Sequence, residues 1–278
     1  MIRDYHSPER VEDALALLAR GAVAVGGATA LYTAKSSRDI ELVDVTRLGL
    51  DQITVDKDKV VIGAGVTLSR LGAAADIPGM PGALLRKAAR AVASEPLRNM
   101  ITVAGNVAGL NYWADLPPVL LALDATVEVR KQGQAPSAHP IAACLEAGKH
   151  PWEGGMIAAV TVPLTQAAQV FGYERFVRTV TDYSLATACV TMTRDGALMR
   201  NVHLVIGALQ ARPHRAAKAE AKLEGKAYDA AAVDEAIATL GDLPVAPNFR
   251  ASPGYRRQLA GVLSRRALMT AYEWARES

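Results

Sequence analysis

Two short glycine-containing runs hold the residues best suited to chemistry in this sequence. The first is Val25, Gly26, Gly27, Ala28, Thr29 and Ala30; the second runs from Thr102 through Val103, Ala104 and Gly105 to Asn106. Small side chains let a ligand approach the main chain closely. Successive N–H groups then cradle a pyrophosphate without any lysine or arginine. Thr29, Thr102 and Asn106 add side-chain hydrogen-bonding groups. Neither run fits the dinucleotide fingerprint Gly-x-Gly-x-x-Gly or the phosphate loop that ends in lysine. The same residues also make ordinary tight turns, so the pattern alone leaves ligand binding and turn formation open.

Other chemistries find little support. His6, His139, His150, His203 and His214 have no metal-ligand spacing among themselves or with Cys144 and Cys189. The two cysteines sit in apolar surroundings and read as buried free thiols. No Ser/His/Asp arrangement is visible.

Each glycine run is expected to follow a strand: Val23–Val25 for the first, and Ile101–Val103 for the second. The first element, capped by Ser7 and opened by Pro8, reads as a helix with Val11, Ala14, Leu15 and Leu18 on one stripe. Residues 41–45 and 59–63 read as strands, 67–75 and 83–93 as helices. A short helix follows Pro117-Pro118, then strands at 125–130 and 156–162. Beyond that, 171–178, 184–194 and 199–209 read as three antiparallel strands, with Asp195-Gly196 as a hairpin turn. Residues 215–223, 230–240 and 255–276 read as helices. An amino-terminal α+β part to about residue 165 and a carboxy-terminal part of three strands and three helices are therefore expected.

The 278 residues are half hydrophobic, enough to bury a sizeable core, and carry a formal net charge of +3. So small a charge, spread along the chain, argues against nucleic acid. The basic stretches at 212–226 and 256–266 also carry regularly spaced apolar residues and read as solvated helix faces. The amino terminus lacks the apolar core of a signal peptide, and no apolar run approaches the roughly 18 to 20 residues of a membrane span. A soluble, cytoplasmic protein is expected.

At several of these residues the chain resembles the FAD-binding medium subunits of the xanthine oxidase and carbon monoxide dehydrogenase group. Gly26 to Lys35 resembles the family's first flavin loop, with a lysine eight residues after the second glycine. Leu97 to Asn106 resembles its second loop, with Ile101 and Ala104 where the family favours glycine. Asp115-Leu-Pro-Pro-Val-Leu-Leu-Ala-Leu, the stretch from Tyr173 to Ser184, and Gly207 to Glu220 resemble three further signatures. The likeness covers nearly the whole chain.

The resemblance implies an FAD-binding domain over residues 1–165, of the vanillyl-alcohol-oxidase-like type and split in two near residue 55. It implies a second domain, of the carbon monoxide dehydrogenase flavoprotein type, over 166–278. Backbone N–H groups of Val25 to Ala30 and Thr102 to Asn106 would hold the FAD pyrophosphate and ribityl region. Asp115 would accept hydrogen bonds from cofactor hydroxyls, or else cap a helix. Ile157 would pack against the cofactor, although by itself it reads as core. Arg175 would lie near the cofactor, or else pair with Glu174 or Asp182. Tyr183 would lie against the isoalloxazine ring, or else fill a domain interface. Tyr112 and Trp113, in a segment that departs from the family, either cover the flavin, face a partner, or sit on an ordinary surface loop.

The function implied is that of an electron-transfer subunit. A molybdenum-cofactor large subunit oxidises the substrate, a small subunit with 2Fe-2S clusters relays electrons, and FAD on this chain passes them to an external acceptor. A cytoplasmic dimer of heterotrimers is the assembly expected. Two other readings stand beside it: a self-contained flavin oxidase or dehydrogenase, and a non-catalytic assembly protein that has lost its flavin.

Overall fold

A computed structural model describes residues 2–31, 39–146, 148–164 and 169–277. Strand β1 (Ile2–His6) opens the chain, where the sequence suggested no strand. Helix α1 (Val11–Ala19) follows, and Arg10, not Ser7, holds its N-cap position. The Ser7 hydroxyl donates instead to the Asp44 carboxylate at 3.3 Å. Strands β2 (Val23–Val25) and β3 (Ile40–Asp44) complete a parallel three-stranded sheet in the order β1-β3-β2. Ala14, Leu15 and Leu18 of α1 pack on Val43 and Leu48 to form a small core. Met156, from a later strand, reaches into it.

A second sheet starts with β4 (Ile53–Val55) and β5 (Lys59–Gly63). Five helices intervene: α2 (Leu68–Ala73), α3 (Gly79–Ala91), α4 (Glu95–Arg98), α5 (Val103–Ala108) and α6 (Leu116–Ala122). The chain returns through β6 (Thr126–Lys131), β7 (Ser137–Pro140), α7 (Ile141–Glu146) and β8 (Gly155–Pro163). The five strands are antiparallel, in the order β4-β5-β8-β6-β7. One face carries the main core, which includes Ile62, Leu68, Leu84, Leu85, Leu116 and Val160.

The third sheet comprises β9 (Gln169–Phe176), β10 (Ala186–Asp195), β11 (Leu198–Gly207) and β12 (His214–Arg215). The predicted hairpin forms at Asp195-Gly196, with Gly196 at φ +60°. β12 adds a fourth strand to the three expected; two residues are too few to leave a pattern in the sequence. Helices α8 (Ala217–Leu223), α9 (Ala230–Ala238) and α10 (Pro253–Glu277) cover one face. Alternation along the strands buries both faces. Val170, Ala188, Val190 and Leu204 meet the helices, whereas Phe171, Tyr173, Cys189 and Val205 join the main core. At Gly172 the sheet touches α10 so closely that a Cβ would collide with the carbonyl group of Ala267.

Candidate functional site

Strand β2 ends with the buried Val25 and delivers Gly26 and Gly27 directly against the second glycine run. A Cβ on Gly27 would overlap the Met100 carbonyl, and one on Gly26 would press on the Thr102 side chain at 3.0 Å. Two runs about eighty residues apart in sequence thus share one junction. Ala28 adopts φ +58°, a left-handed conformation that turns the main chain, and Leu31 N–H closes the turn on Ala28 O at 3.1 Å. Thr29 and Ala30 form the turn itself. The N–H groups of Gly26, Gly27, Ala28 and Thr29 meet no acceptor among the described residues. A run of such amides about a left-handed residue makes an anion-binding concavity. Lys35 lies outside the described residues.

The second run departs from expectation. It follows no strand; Thr102 touches Thr67 through one isolated bridge, and residues 103–108 are the helix α5. Its amides are already engaged. Val103 N–H donates to Val66 O (2.8 Å), Ala104 N–H to Ala64 O (3.2 Å) and Asn106 N–H to Thr102 O (2.9 Å). Gly105 N–H donates to the Thr102 hydroxyl oxygen at 3.1 Å, the capping contact of α5. Four of the amides expected to form a cradle over Thr102 to Asn106 are thus engaged within the protein: docking of α5 on residues 64–66 takes those of Val103 and Ala104, and Thr102 takes those of Gly105 and Asn106. What faces outward is side-chain chemistry. Thr102 retains its hydroxyl proton. Asn106 accepts the Leu116 N–H on Oδ1 at 3.3 Å and retains its Nδ2 hydrogens.

The two residues that depart from the family pattern also find their reason. Ile101 and Ala104 both pack against the main core, and the Ile101 carbonyl accepts Leu68 N–H at 2.9 Å. The Ala104 methyl is thus drawn into hydrophobic packing.

Asp115 stands at the start of α6 without capping it. Its carboxylate is 2% exposed and faces protein donors, not a ligand surface. Tyr173 and Ser184 hydroxyls donate to Oδ1, each at 3.0 Å, and the Arg175 guanidinium lies 3.4 Å from Oδ2. Burial pushes the Asp115 carboxyl above its ordinary value, opposed by Arg175, Ser184 and Tyr173. The Tyr173 phenol is pushed well above its own, by burial and by the Asp115 charge. Arg175 also donates to the Ser184 hydroxyl and to the carbonyls of Ala91 and Asp182. It therefore ties α3, α6 and β9 together, pairing with Asp115 and not with the carboxylate of Glu174 or Asp182. Asp115, expected to accept from cofactor hydroxyls, accepts here from the hydroxyls of Tyr173 and Ser184. Ile157 is 4% exposed within the main core, the reading its isolated apolar character suggested.

Tyr183 is 38% exposed. The Trp113 ring lies 4.6 Å from it, tilted by 35°, and Tyr112 meets Trp113 edge-on at 4.6 Å and 85°. Guanidinium groups stand over the outer rings, Arg250 at 4.7 Å from Tyr183 and Arg256 at 5.9 Å from Tyr112. Arg250 also binds the Asp182 carboxylate at 2.5 Å, and Arg178 binds it at 2.9 Å. These bonds hold the Asp182 carboxyl down to about 2, the Arg178 contact most of all. Sequence gave no signal for Arg250, which sits in a loop without pattern. Tyr173 and Ser184 lie inside a stretch that resembles the family, which implies no role for either. Among the described residues no group of His, Cys, Asp and Glu is placed to hold a metal ion, and no helix is long and apolar enough to cross a membrane.

Comparison with known proteins adds an independent line. Residues 1–165 match the family model described as the FAD binding domain in molybdopterin dehydrogenase. Residues 171–271 match the CO dehydrogenase flavoprotein C-terminal domain. The carbon monoxide dehydrogenase medium chain of Afipia carboxidovorans is 28% identical over 286 residues, covering 96% of each chain. The 6-hydroxypseudooxynicotine dehydrogenase complex subunit alpha of Paenarthrobacter nicotinovorans is 30% identical over 290 residues, covering 98% of this chain and 95% of the relative. A solved structure of carbon monoxide dehydrogenase from Hydrogenophaga pseudoflava superposes with a TM-score of 0.92 at 25% identity, over 98% of both chains.

Proposed function

Because the chain belongs to the FAD-binding medium subunits of the carbon monoxide dehydrogenase and xanthine oxidase family of molybdenum hydroxylases, we propose that it is the electron-transfer link of such a complex. Electrons arrive from the iron–sulfur clusters of a small partner subunit and leave for an external acceptor. The substrate is oxidised on a molybdenum-cofactor large subunit. FAD, when bound, supplies the exchange of one or two electrons.

The observation that carries this reading is the run of unengaged amides from Gly26 to Thr29, pressed against the capped start of α5. These residues fit a diphosphate. Four successive N–H donors meet no acceptor among the described residues, and two of them belong to glycines, which is the kind of main chain an anion at close range requires. The Thr102 hydroxyl stands against Gly26 to donate to a phosphate oxygen, and the Asn106 carboxamide, one turn along α5, keeps its Nδ2 hydrogens for a ribityl oxygen. Asp115 and Arg175 act one layer back, bracing α6 and β9. Tyr183 offers a partly exposed ring beside Trp113. The chain's own task is to bind, orient and shield.

Purification of the chain with whatever accompanies it tests this. We expect a yellow preparation with about one FAD per chain, together with two further chains that carry molybdenum and 2Fe-2S clusters. A colourless chain that takes up no added FAD would support the assembly-protein reading. Reduction of the flavin by an organic substrate with no partner present would support a self-contained oxidase.

A further inference from the structure

We propose that Trp113 is a further cofactor-contact residue, its indole forming a wall against which the isoalloxazine ring packs. This rests on the FAD-binding reading above. Trp113 lies in the segment 109–114, between the end of α5 and the start of α6. The Asn106 side chain draws Leu116 back onto α5, so the segment is a short closed loop over the same helix that Thr102 caps. That helix start is the one pressed by Gly26 and Gly27. The loop that carries Trp113 therefore leaves the far end of the short helix whose start meets the first glycine run.

The ring is rigidly held. Arg256, Tyr112, Trp113, Tyr183 and Arg250 form one row of cation, three rings and cation. Both cations are fixed. Arg256 is 1% exposed and donates to the carbonyls of Leu185, Ala208 and Ala246, while Arg250 is bound to Asp182. The row spans the joint between the main core and the helices of the third sheet. Leu97 and Met100, both about half exposed, lie on the side of the first glycine run, where the Met100 carbonyl meets Gly27. A preorganised, partly exposed row of electron-rich rings suits a flat, fused, electron-poor heteroaromatic ring, and an indole at contact quenches flavin emission.

The test uses the full chain with FAD removed and added back. Affinity is measured for the wild type, Trp113→Leu and Trp113→Phe. Emission of the bound flavin is compared in a Tyr183→Phe background, so that the neighbouring phenol does not quench. We expect Trp113→Leu to weaken FAD about tenfold, the scale of one well-packed ring face. Trp113→Phe should keep most of the affinity while bound-flavin emission rises several-fold, because a phenyl ring packs but does not donate an electron. Unchanged emission in Trp113→Phe would overturn the proposal. So would a loss of affinity without any change in emission, which would place the indole at the adenine end or make it merely structural. A wild-type chain that binds no FAD would sink the functional reading itself, a result distinct from either. Should Trp113→Leu fail to fold, the Trp113→Phe emission decides.

Discussion

Gly27 is the residue on which the site turns. Any side chain there collides with a backbone carbonyl, which cannot rotate aside as a flexible side chain does. Gly27→Val should therefore push the first run away from α5 and lower FAD content at least tenfold, while far-UV circular dichroism stays that of a folded chain. Normal FAD content in that variant would refute the placement of the first run. Asp115 and Arg175 make a buried pair, and removing one partner strands the other; Asp115→Ala should cost about 3 kcal/mol in urea unfolding. A cost below about 1 kcal/mol would show that the pair contributes no more than a surface contact. Asp182 gives a pH test. Its carboxyl is held at about 2, below its ordinary 3.8, so its stabilising effect is present above 3.8 and lost as pH falls towards 2. The difference in Tm between wild type and Asp182→Asn should be largest near neutral pH and close in acid. Asp115 has the opposite sign: its raised value favours the fold at low pH and disfavours it as pH rises through that value. Asp115 illustrates what one sequence withholds. Its position before two prolines was legible, but which groups its carboxylate meets depends on Tyr173, Arg175 and Ser184, brought in from another sheet.

At the scale of elements, the second glycine run shows where local pattern fails. Thr-Val-Ala-Gly-Asn-Val combines β-branched residues with glycine, so its propensity favours a strand. Tertiary context overrides that preference. Thr102 caps the segment, and Val103 and Val107 are fully buried, so residues 103–108 wind into a helix whose amides dock on residues 64–66. β1 was illegible for another reason: four of its five residues are exposed, and only pairing with β3 makes it a strand. The glycine pair was legible because close approach of two main chains leaves glycine as the residue that fits. The hairpin at Asp195-Gly196 was legible for a similar reason, its turn needing a left-handed residue. The long helix α10 was legible from its apolar spacing, but its contact at Gly172 was not. Gly172→Ala should drive a methyl into the Ala267 carbonyl and lower Tm by several degrees, a shift of about 1 kcal/mol or more for a chain of this size. An unchanged melting curve would mean that α10 rides higher on the sheet than described.

At the scale of the whole molecule, the third sheet couples the two halves of the chain. Phe171, Tyr173, Cys189 and Val205 pack into the main core, while the opposite face of the same strands packs on α8, α9 and α10. Disrupting either face disturbs the other, so we expect thermal unfolding to occur as one transition by near- and far-UV circular dichroism alike. Two separated transitions would show that the halves fold independently. This shared sheet also carries Arg175, and the connection from β9 to β10 brings Ser184 to Asp115 at the start of α6 and Tyr183 to Trp113. The most direct test of the central claim is rapid mixing of the assembled complex with its substrate, following the flavin and iron–sulfur absorbance together. Flavin on this chain should be reduced only when the molybdenum and iron–sulfur subunits are present, and after the clusters. Flavin reduction by substrate with this chain alone, or no flavin reduction in the complete complex, would contradict it.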